Sequence, residues 1–562
     1  MTMTKTKHRE LYDYLQTEWG RLKGRWNTIS DYVGIMVDMT EGIGVRRDID
    51  DRKVQDATAA LAVNQTGDYL TGVLWGGDRQ FQLTPTFSIL QEHSYEEVQE
   101  FYQDYGDFLV EHFNNSSAGI ISALAPHMYD QASFGTSGIG LFRNPNYGHG
   151  DDNLFVFKNY GVDRMRISEG ANGKIDTVFV VHFWNGYRIK KELKNVPPWI
   201  VNDSQYKVVY GVYPKDDYSA KEGRNALKYE SVWFLDGNDD HVFETTDHYE
   251  MPIPVARAIR VRGETYGRSY GTMLLSTIRG LNQLVESAVD TVEKMHKPAM
   301  ATYNNAIAAD GVIDTSSGAL TVFKQNLLGG QPLFKLYDID DPSAVLQIVM
   351  PYFRDLIISG FKRDQLLDFS GNSRMTMREV VERSVIRGQS VAGLLLQQKN
   401  ELLEPLVYRA DSIAWDEFLR VYKKDVPEAV LELRKQRLRW FKIQWKTDLE
   451  KLVNTAAKEA MLSFLQVVGA ISEGYPQITE AVKWYELLSE VNKSLETGVD
   501  LLFTEDEFKK ALQARAEAEA QAMQMQQASV AADIKAKTER ARKYGADADA
   551  KSGAGQAGGF GI

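Results

Sequence analysis

Carboxylates, imidazoles and one Lys-Ser pair are the residues in this chain that could do chemistry, and their spacing decides which. Residues 545–552 read GADADAKS, close to the phosphate-cradling loop GxxxxGK[ST]. Ala550 stands where the second glycine is needed, and no strand pattern precedes it, so a nucleotide site is not expected. Asp236, Asn238 and Asp240 copy the first three ligand positions of a calcium loop. His241 takes its glycine slot, however, and Asp247 stands where a bidentate glutamate belongs, so a hairpin turn is the better account. Nine histidines and no cysteine give no zinc spacing. His93, His112, His127 and His149 have no nucleophile partner that spacing identifies. The chain is not expected to be an enzyme, and no metal or cofactor is expected.

One polar stretch stands out for a different reason. Between two helical patterns lies KRDQLLDFSGNSR, residues 362–374. It carries Lys362, Arg363 and Arg374 alongside Asp364 and Asp368, with Phe369, Ser370, Gly371 and Asn372 between them. Its length exceeds the usual few residues of a helix–helix link. Gly371 supplies flexibility, and Phe369 is a blunt apolar wedge.

The element that must position this stretch begins at GETYGRSYG, residues 263–271, and runs as a helical pattern to Lys297. Leu274, Ile278, Leu281, Val285, Ala288, Val292 and Met295 recur in alternating steps of four and three, a 3.5-residue seam for lengthwise packing on a near-parallel neighbour. About 25 residues at 1.5 Å each make a rod on the order of 38 Å long, stopped by Pro298. Asp341-Pro342 opens a second helical run to Phe361, with Pro351 restarting or kinking it. After the polar break, Thr376 and Glu379 form a capping box with Met375 and Val380 as its hydrophobic staple. That helix is expected to continue to about Tyr422.

Composition bounds the rest. The 562 residues suffice for three or more domain-sized units. Absence of cysteine removes disulfides and suits a reducing compartment. No apolar run of 18 residues exists to span a bilayer, and the N-terminus lacks a secretory apolar region, so a soluble protein is expected. Lys plus Arg number 65 against 77 Asp plus Glu, a formal charge of −12. Composition alone therefore argues against tight nucleic-acid binding, which needs phosphates neutralised.

Taken in order, residues 8 to 34 carry a helical stripe of Leu11, Leu15, Trp19, Leu22, Trp26 and Ile29. Helices are expected over 46–75, 95–114 and 116–134. From Gly138 to Arg262 the period changes to two, with β-branched and aromatic runs between Gly, Asn and Asp turns. That pattern reads as antiparallel strands, with Trp184, Trp199 and Trp233 as core or hairpin-packing residues. Residues 298–341 form a second β-rich insert between the two helical runs. A short β-like segment lies near WFKIQWK. Residues 448–502 are again helical, and Thr504 with Glu507 caps an Ala-, Gln- and Glu-rich helix. Its thin stripe of Phe508, Leu512, Met523, Val530 and Ile534 suits a helical barrel better than a lone helix.

The order of these segments resembles a known family. PIPVARAIRVRGETYGRSYG, the LNQLV helix, the β-rich insert, the run ending ISGF, and RMTMREVVERS followed by LLEPLVYRA are similar to the portal, or head-to-tail connector, proteins of tailed bacteriophages. Among these the short-tailed phage connectors are nearest. ATAALAVNQTGDYLTGVLW with FQLTP, FGTSGIGLF and EGANGKIDTVF fit the same family.

The resemblance implies an α+β subunit, predominantly α, that closes into a ring of twelve copies. Residues 1–262 would be the wing, 263–297 the first stem helix and 298–341 the clip. The second stem helix would be 342–361 and the tunnel loop 362–375. The long wing helix and its return segment would be 376–447, the crown or helical barrel 448–544, and 545–562 a disordered tail. The stem seam would pack on a neighbouring subunit and on 342–361. Function would be conduction of double-stranded DNA, bound non-specifically, during packaging and ejection. Implied partners are the terminase large subunit, tail adaptor and tail proteins, and the major capsid and scaffolding proteins, with no membrane. The place would be the virion head-tail junction, after assembly in the host cytoplasm. An acidic or mixed bore would let DNA slide where a basic one would grip it. A different class stays open: a helical virion scaffold or adaptor that oligomerises without conducting DNA.

Overall fold

The computed structural model describes residues 6–33, 54–76, 80–86, 89, 95–115, 119–215, 227–237, 241–303, 314–323, 334–336, 343, 345–363, 393–422, 424–436 and 438–446, with 521, 525, 528–540 and 542 near the C-terminus. The chain divides into two units, Met1–Asn454 and Thr455–Ile562. In the second, 528–540 are helical and exposed, with Val530 and Ile534 open to solvent. The expected caps at Thr376 and Thr504, the staple Met375–Val380, the remainder of 448–520 including Phe508 and Leu512, and the motif 545–552 lie outside the described residues.

Within the first unit the architecture is α+β. The helices are α1 (Lys7–Tyr32), α2 (Thr58–Trp75), α3 (Tyr95–Asn114), α4 (Ile120–Ser133), α5 (Gly186–Glu192), α6 (Tyr270–His296), α7 (Met350–Gly360), α8 (Glu404–Val421) and α9 (Glu428–Lys435). The strands are β1 (Phe81–Pro85), β2 (Thr136–Arg143), β3 (Phe155–Gly161), β4 (Met165–Glu169), β5 (Ile175–Asn185), β6 (Gln205–Pro214), β7 (Tyr229–Leu235), β8 (Val242–His248) and β9 (Val255–Arg257). They continue with β10 (Met300–Tyr303), β11 (Leu320–Phe323), β12 (Phe334–Lys335) and β13 (Phe441–Trp445).

The alternating stretch becomes a five-stranded meander in the order β4-β5-β6-β7-β8, antiparallel throughout. Residues of opposite parity on β5 enter different clusters, as a two-residue period requires. Val178 and Val180 join Trp19, Trp26 and Ile29 of α1, whereas Phe179 and Val181 join Tyr12 and Leu15 of the same helix. A second, three-stranded sheet has the order β3-β2-β9, and β2 is buried along most of its length. The largest cluster is aromatic: Phe101, Tyr105, Trp415, Phe418 and Trp440 pack mostly edge-on around α3 and α8. Such pairs add about 0.5–1.5 kcal/mol beyond area burial. Strand β1 pairs with β13, joining residues more than 350 positions apart.

Several expectations needed correction. The second helix begins at Thr58 rather than Arg46; residues 46–53 lie outside the described set, and 54–57 form a turn. Asp56 accepts the Thr58 N–H at 2.9 Å, ending the helix there. The next helix but one starts at Ile120, because Gly119 is left-handed at φ 71°. The β region also holds α5, capped by Asn185, which accepts from Arg188 N. Residues 393–421 are helical but not uniformly so. A π-turn at Lys399–Leu403 precedes Pro405, whose missing N–H removes one rung of the ladder. Another π-turn, Val345–Val349, leads into α7 ahead of Pro351. Trp184 is buried and lies 5.3 Å from Trp233, while Trp199 is half exposed beside Tyr206. Among the described residues no helix is long and apolar enough to cross a membrane.

Candidate functional site

The rod announced by the seam is α6, and its glycine-rich head is a clamp. Gly135 sits at φ 86°, and a Cβ there would lie 2.5 Å from the Arg268 carbonyl carbon. A Cβ on Gly267 would lie 2.5 Å from Gly135 O. The two backbones touch because neither residue has a side chain. Ser269 then caps α6: its Oγ accepts from Thr272 N at 2.9 Å and donates to Ser133 O at 2.6 Å. The start of the rod is thus fixed to α4 and β2 before any apolar packing begins.

As far as Ala288, α6 packs one face inside its own chain. Ile278, Leu281 and Ala288 are buried with Met350, Ile357 and Phe361 of the second helical run. Leu274 and Val285 are half-buried against the same cluster. Gly360 lets Leu274 close in, since a Cβ there would meet the leucine methyls at 2.6 Å. A polar pin sits in this apolar face. Asn282 Oδ1 accepts from Gln55 N at 2.7 Å and from Asp56 N at 3.0 Å, while its Nδ2 donates to Ile278 O. Arg354 of α7 donates through Nε to Asp56 at 2.8 Å and lies 2.7 Å away through a terminal nitrogen. Burial would raise the Asp56 pKa, but hydrogen bonds from Thr58 and Arg354 outweigh it and hold the carboxyl below its ordinary value.

The second half of the hairpin is different. Val292 and Met295 are 48% and 42% exposed, and Val289 beside them 56%. Across from them on the second run, Leu346 is also exposed, and Ile348, Tyr352 and Leu356 of the same run are open to solvent. A groove of about 720 Å³ runs between, lined by Val285, Ala288, Val292, Leu346 and Met350 with Arg354 and His296 at its ends. Fully burying side chains of this size contributes about 1.5–3 kcal/mol each. Contiguous exposed apolar surface of this kind marks a protein contact.

The hairpin ends where the polar stretch begins. Phe361 is fully buried, and its carbonyl accepts from Thr66 Oγ1 at 3.1 Å. Lys362 turns left-handed at φ 60° and its Nζ lies 5.8 Å from the Tyr270 ring at the start of α6. Lys362 and Arg363 are therefore placed at the clamped end of the rod. Asp364, Asp368, Phe369, Ser370, Gly371, Asn372 and Arg374 lie outside the described residues.

Most of the other chemistry-bearing residues that are described make contacts within the fold. Asp236 pairs with Arg9 at 2.8 Å and Lys207 at 2.9 Å; burial opposes its ionisation, and these two cations hold its pKa below the usual value. Asn238 and Asp240 lie outside the described residues, His241 approaches Asn195 O, and Asp247 pairs with Lys215. His127 is buried against Gln398 at 2.8 Å, and burial lowers its pKa to about 4. His112 is lowered too, chiefly by burial. His149 is exposed and His93 lies outside the described residues. Among the described residues no three acidic or imidazole side chains converge on a metal position.

Sequence reading missed the Asp56–Asn282–Arg354 pin. Its only local signal is Asn282, a polar residue beside Leu281 on the buried face. It also missed the buried pair Arg257–Glu401, 2.7 Å apart, which joins β9 to the π-turn.

Residues 5–500 match the protein-family model described as bacteriophage head to tail connecting protein. No curated protein matches the chain. Among solved structures, a chain from the virion of a native gene transfer agent (GTA) particle is similar, at 10% identity and TM-score 0.32. The likeness covers 77% of this chain and 92% of that one. A chain from the neck of an empty GTA particle, computed with C6 symmetry, is similar at 11% identity and TM-score 0.33, over 71% and 95%. Because the family match spans nearly the whole chain, the protein belongs to the bacteriophage head-to-tail connecting proteins.

Proposed function

We propose that this connector is the subunit of a closed ring that conducts double-stranded DNA into the phage head during packaging and out of it at ejection. The observation that carries the reading is the split rod: α6 buries one face within the chain as far as Ala288 and leaves Val289, Val292 and Met295 open, with Leu346 exposed across the groove. Identical copies arranged head to tail around an axis would cover that face, and a heterologous contact that closes makes a ring. Four large side chains at about 1.5–3 kcal/mol each give roughly 6–12 kcal/mol. Association costs on the order of 4–15 kcal/mol, so this face needs further contact area around the ring.

In this reading 1–262 is the wing, α6 and 342–361 the stem, 298–341 the clip, 376–447 the long wing helix with its return, and 448–544 the crown. The three strands β10, β11 and β12 form the described part of the clip, with β10 central. The clip docks the terminase large subunit first and tail proteins afterwards, while the outer parts meet capsid and scaffolding proteins. The segment 362–375 leaves the clamped end of the rod at Lys362 and lines the bore. The formal charge of −12 favours sliding over gripping, since each phosphate neutralised strengthens binding. Contacts with DNA are to the backbone and read no sequence. Deletion of Leu367 to Asn372 tests the assignment: rings should still form, with packaged DNA poorly retained. Normal packaging and retention in that variant would remove the segment from the channel.

A further inference from the structure

A second cavity, of about 460 Å³, lies far along the sequence from the stem, between β3 and the β5–β7 face of the meander. Its floor is aromatic. Trp184 and Trp233 lie 5.3 Å apart, His182 stacks on Trp233 at 5.5 Å, and Tyr160 meets His182 edge-on at 5.9 Å. Two cations stand at the mouth. Arg188, from α5, lies 4.6 Å over the Trp184 ring, and Lys158, from β3, lies 5.7 Å over Phe142. Among the described residues neither makes an ion pair. Of the two acids lining the cavity, Glu244 is taken by Lys194 at 3.0 Å, and Glu192 acts on Lys158 only as a nearby charge. His182 Nε2 is buried there without a hydrogen-bond partner.

The surface beside the mouth points the same way. The β5–β6 connection exposes Tyr187 at 65%, Trp199 at 46% and Val201 at 57%, with Lys190, Lys191 and Lys194 between them. It is held rigidly: Gly186 N donates to Ser204 O, Tyr187 N to Asn202 O, and Lys190 Nζ to Asn202 Oδ1. Exposed Trp, Tyr and Arg on a fixed frame are the residue types that dominate protein interfaces. A local excess of cations on a chain of net charge −12 selects an acidic partner by complementarity.

We propose that the cavity and the β5–β6 connection form a docking site for an acidic segment of another protein, one carboxylate seated between Lys158 and Arg188 and a neighbouring aromatic side chain laid on the Trp184–Trp233 floor. Carboxylate fits the two donors, the ring stack fits a flat apolar group, and the unsatisfied His182 nitrogen supplies a further polar contact. The site lies in the first unit and is independent of the stem, so its failure would leave the ring reading untouched.

The test is calorimetric titration of the full-length protein with the acetylated, amidated tripeptide Asp-Phe-Glu, its Asn-Phe-Gln isostere, and a thymidine oligonucleotide. The acidic tripeptide should bind, the isostere roughly tenfold more weakly, and added salt should weaken the acidic one. The double variant Lys158→Met, Arg188→Met keeps the apolar stems at exposed positions. It should lose at least about tenfold in affinity with an unchanged melting temperature. Equal binding of both tripeptides, no binding at millimolar concentration, or unchanged affinity in the double variant would overturn the proposal. Preferential binding of the oligonucleotide would overturn it in favour of nucleic acid. Loss of the site on self-association alone would assign it to a second copy of this chain instead.

Discussion

Asp56 and Arg354 lie 2.7 Å apart and join two segments separated by nearly 300 residues: the turn that opens α2 and helix α7, which packs against α6. The carboxylate is almost fully buried, whereas the guanidinium is half exposed. The same carboxylate accepts from Thr58 N, and the Asp56 backbone N–H is held by Asn282 of α6. One small acid therefore ties both α6 and α7 to the start of α2.

Asp56→Ala should destabilise the first unit by about 1–3 kcal/mol, through a lost cap and an unpaired guanidinium. Thermal or urea unfolding measures it. The folded-state pKa is depressed, so the contribution is present above the unfolded carboxylate value and disappears as pH falls through the lower folded one. An unfolding midpoint equal to wild type at pH 7 would show that the pin carries no weight.

Gly135→Ala should be far more damaging than its size suggests. The residue is left-handed, and the new Cβ would strike the backbone of Arg268 and Ser269 at 2.5–2.7 Å. Backbone cannot swing aside as a side chain does, so a loss of roughly 3 kcal/mol or more is expected. Poor soluble yield, or a sharply lowered melting temperature, is the readout. Gly148, also left-handed but with open space around its Cβ position, should tolerate alanine at a cost of about 1–2 kcal/mol.

Asp130 gives the molecule a pH dependence of the opposite sign to Asp56. Burial, reinforced by the nearby Asp163 charge, raises its pKa to about 8, and Asn159 donates to it at 3.1 Å. The folded state holds a proton that the unfolded state has released, so stability falls as pH rises from near 4 to about 8. Asp130→Asn should flatten this decline and be more stable than wild type at pH 8. Parallel melting curves for the two proteins from pH 5 to 8 would contradict it.

How much of this was legible beforehand follows from the range of each interaction. The α6 rod was readable because Leu274 to Met295 recur at one helical period, and the meander because β5 to β8 are β-branched and aromatic runs set between turn residues. The family match, over residues 5–500, spans both elements. The Asp56–Asn282 and β1–β13 pairings were not readable, since both are long-range captures that leave no local period. The late start of α2 is the price of the first capture. Likewise the seam alone could not say which half of α6 would be buried. That depends on Met350, Ile357 and Phe361 folding back against Ile278 and Leu281 but leaving Val292 uncovered.

The central claim, that copies of this chain complete one another's hairpins around an axis, is tested most directly by native mass spectrometry of the purified protein with negative-stain images of the same sample. The account predicts closed rings with a central hole for the wild type. Val292→Glu with Leu346→Glu, both exposed and lining the groove, should yield folded monomers of near wild-type melting temperature. A wild-type protein that stays a folded monomer at every concentration, or charged variants that assemble as readily as wild type, would contradict it.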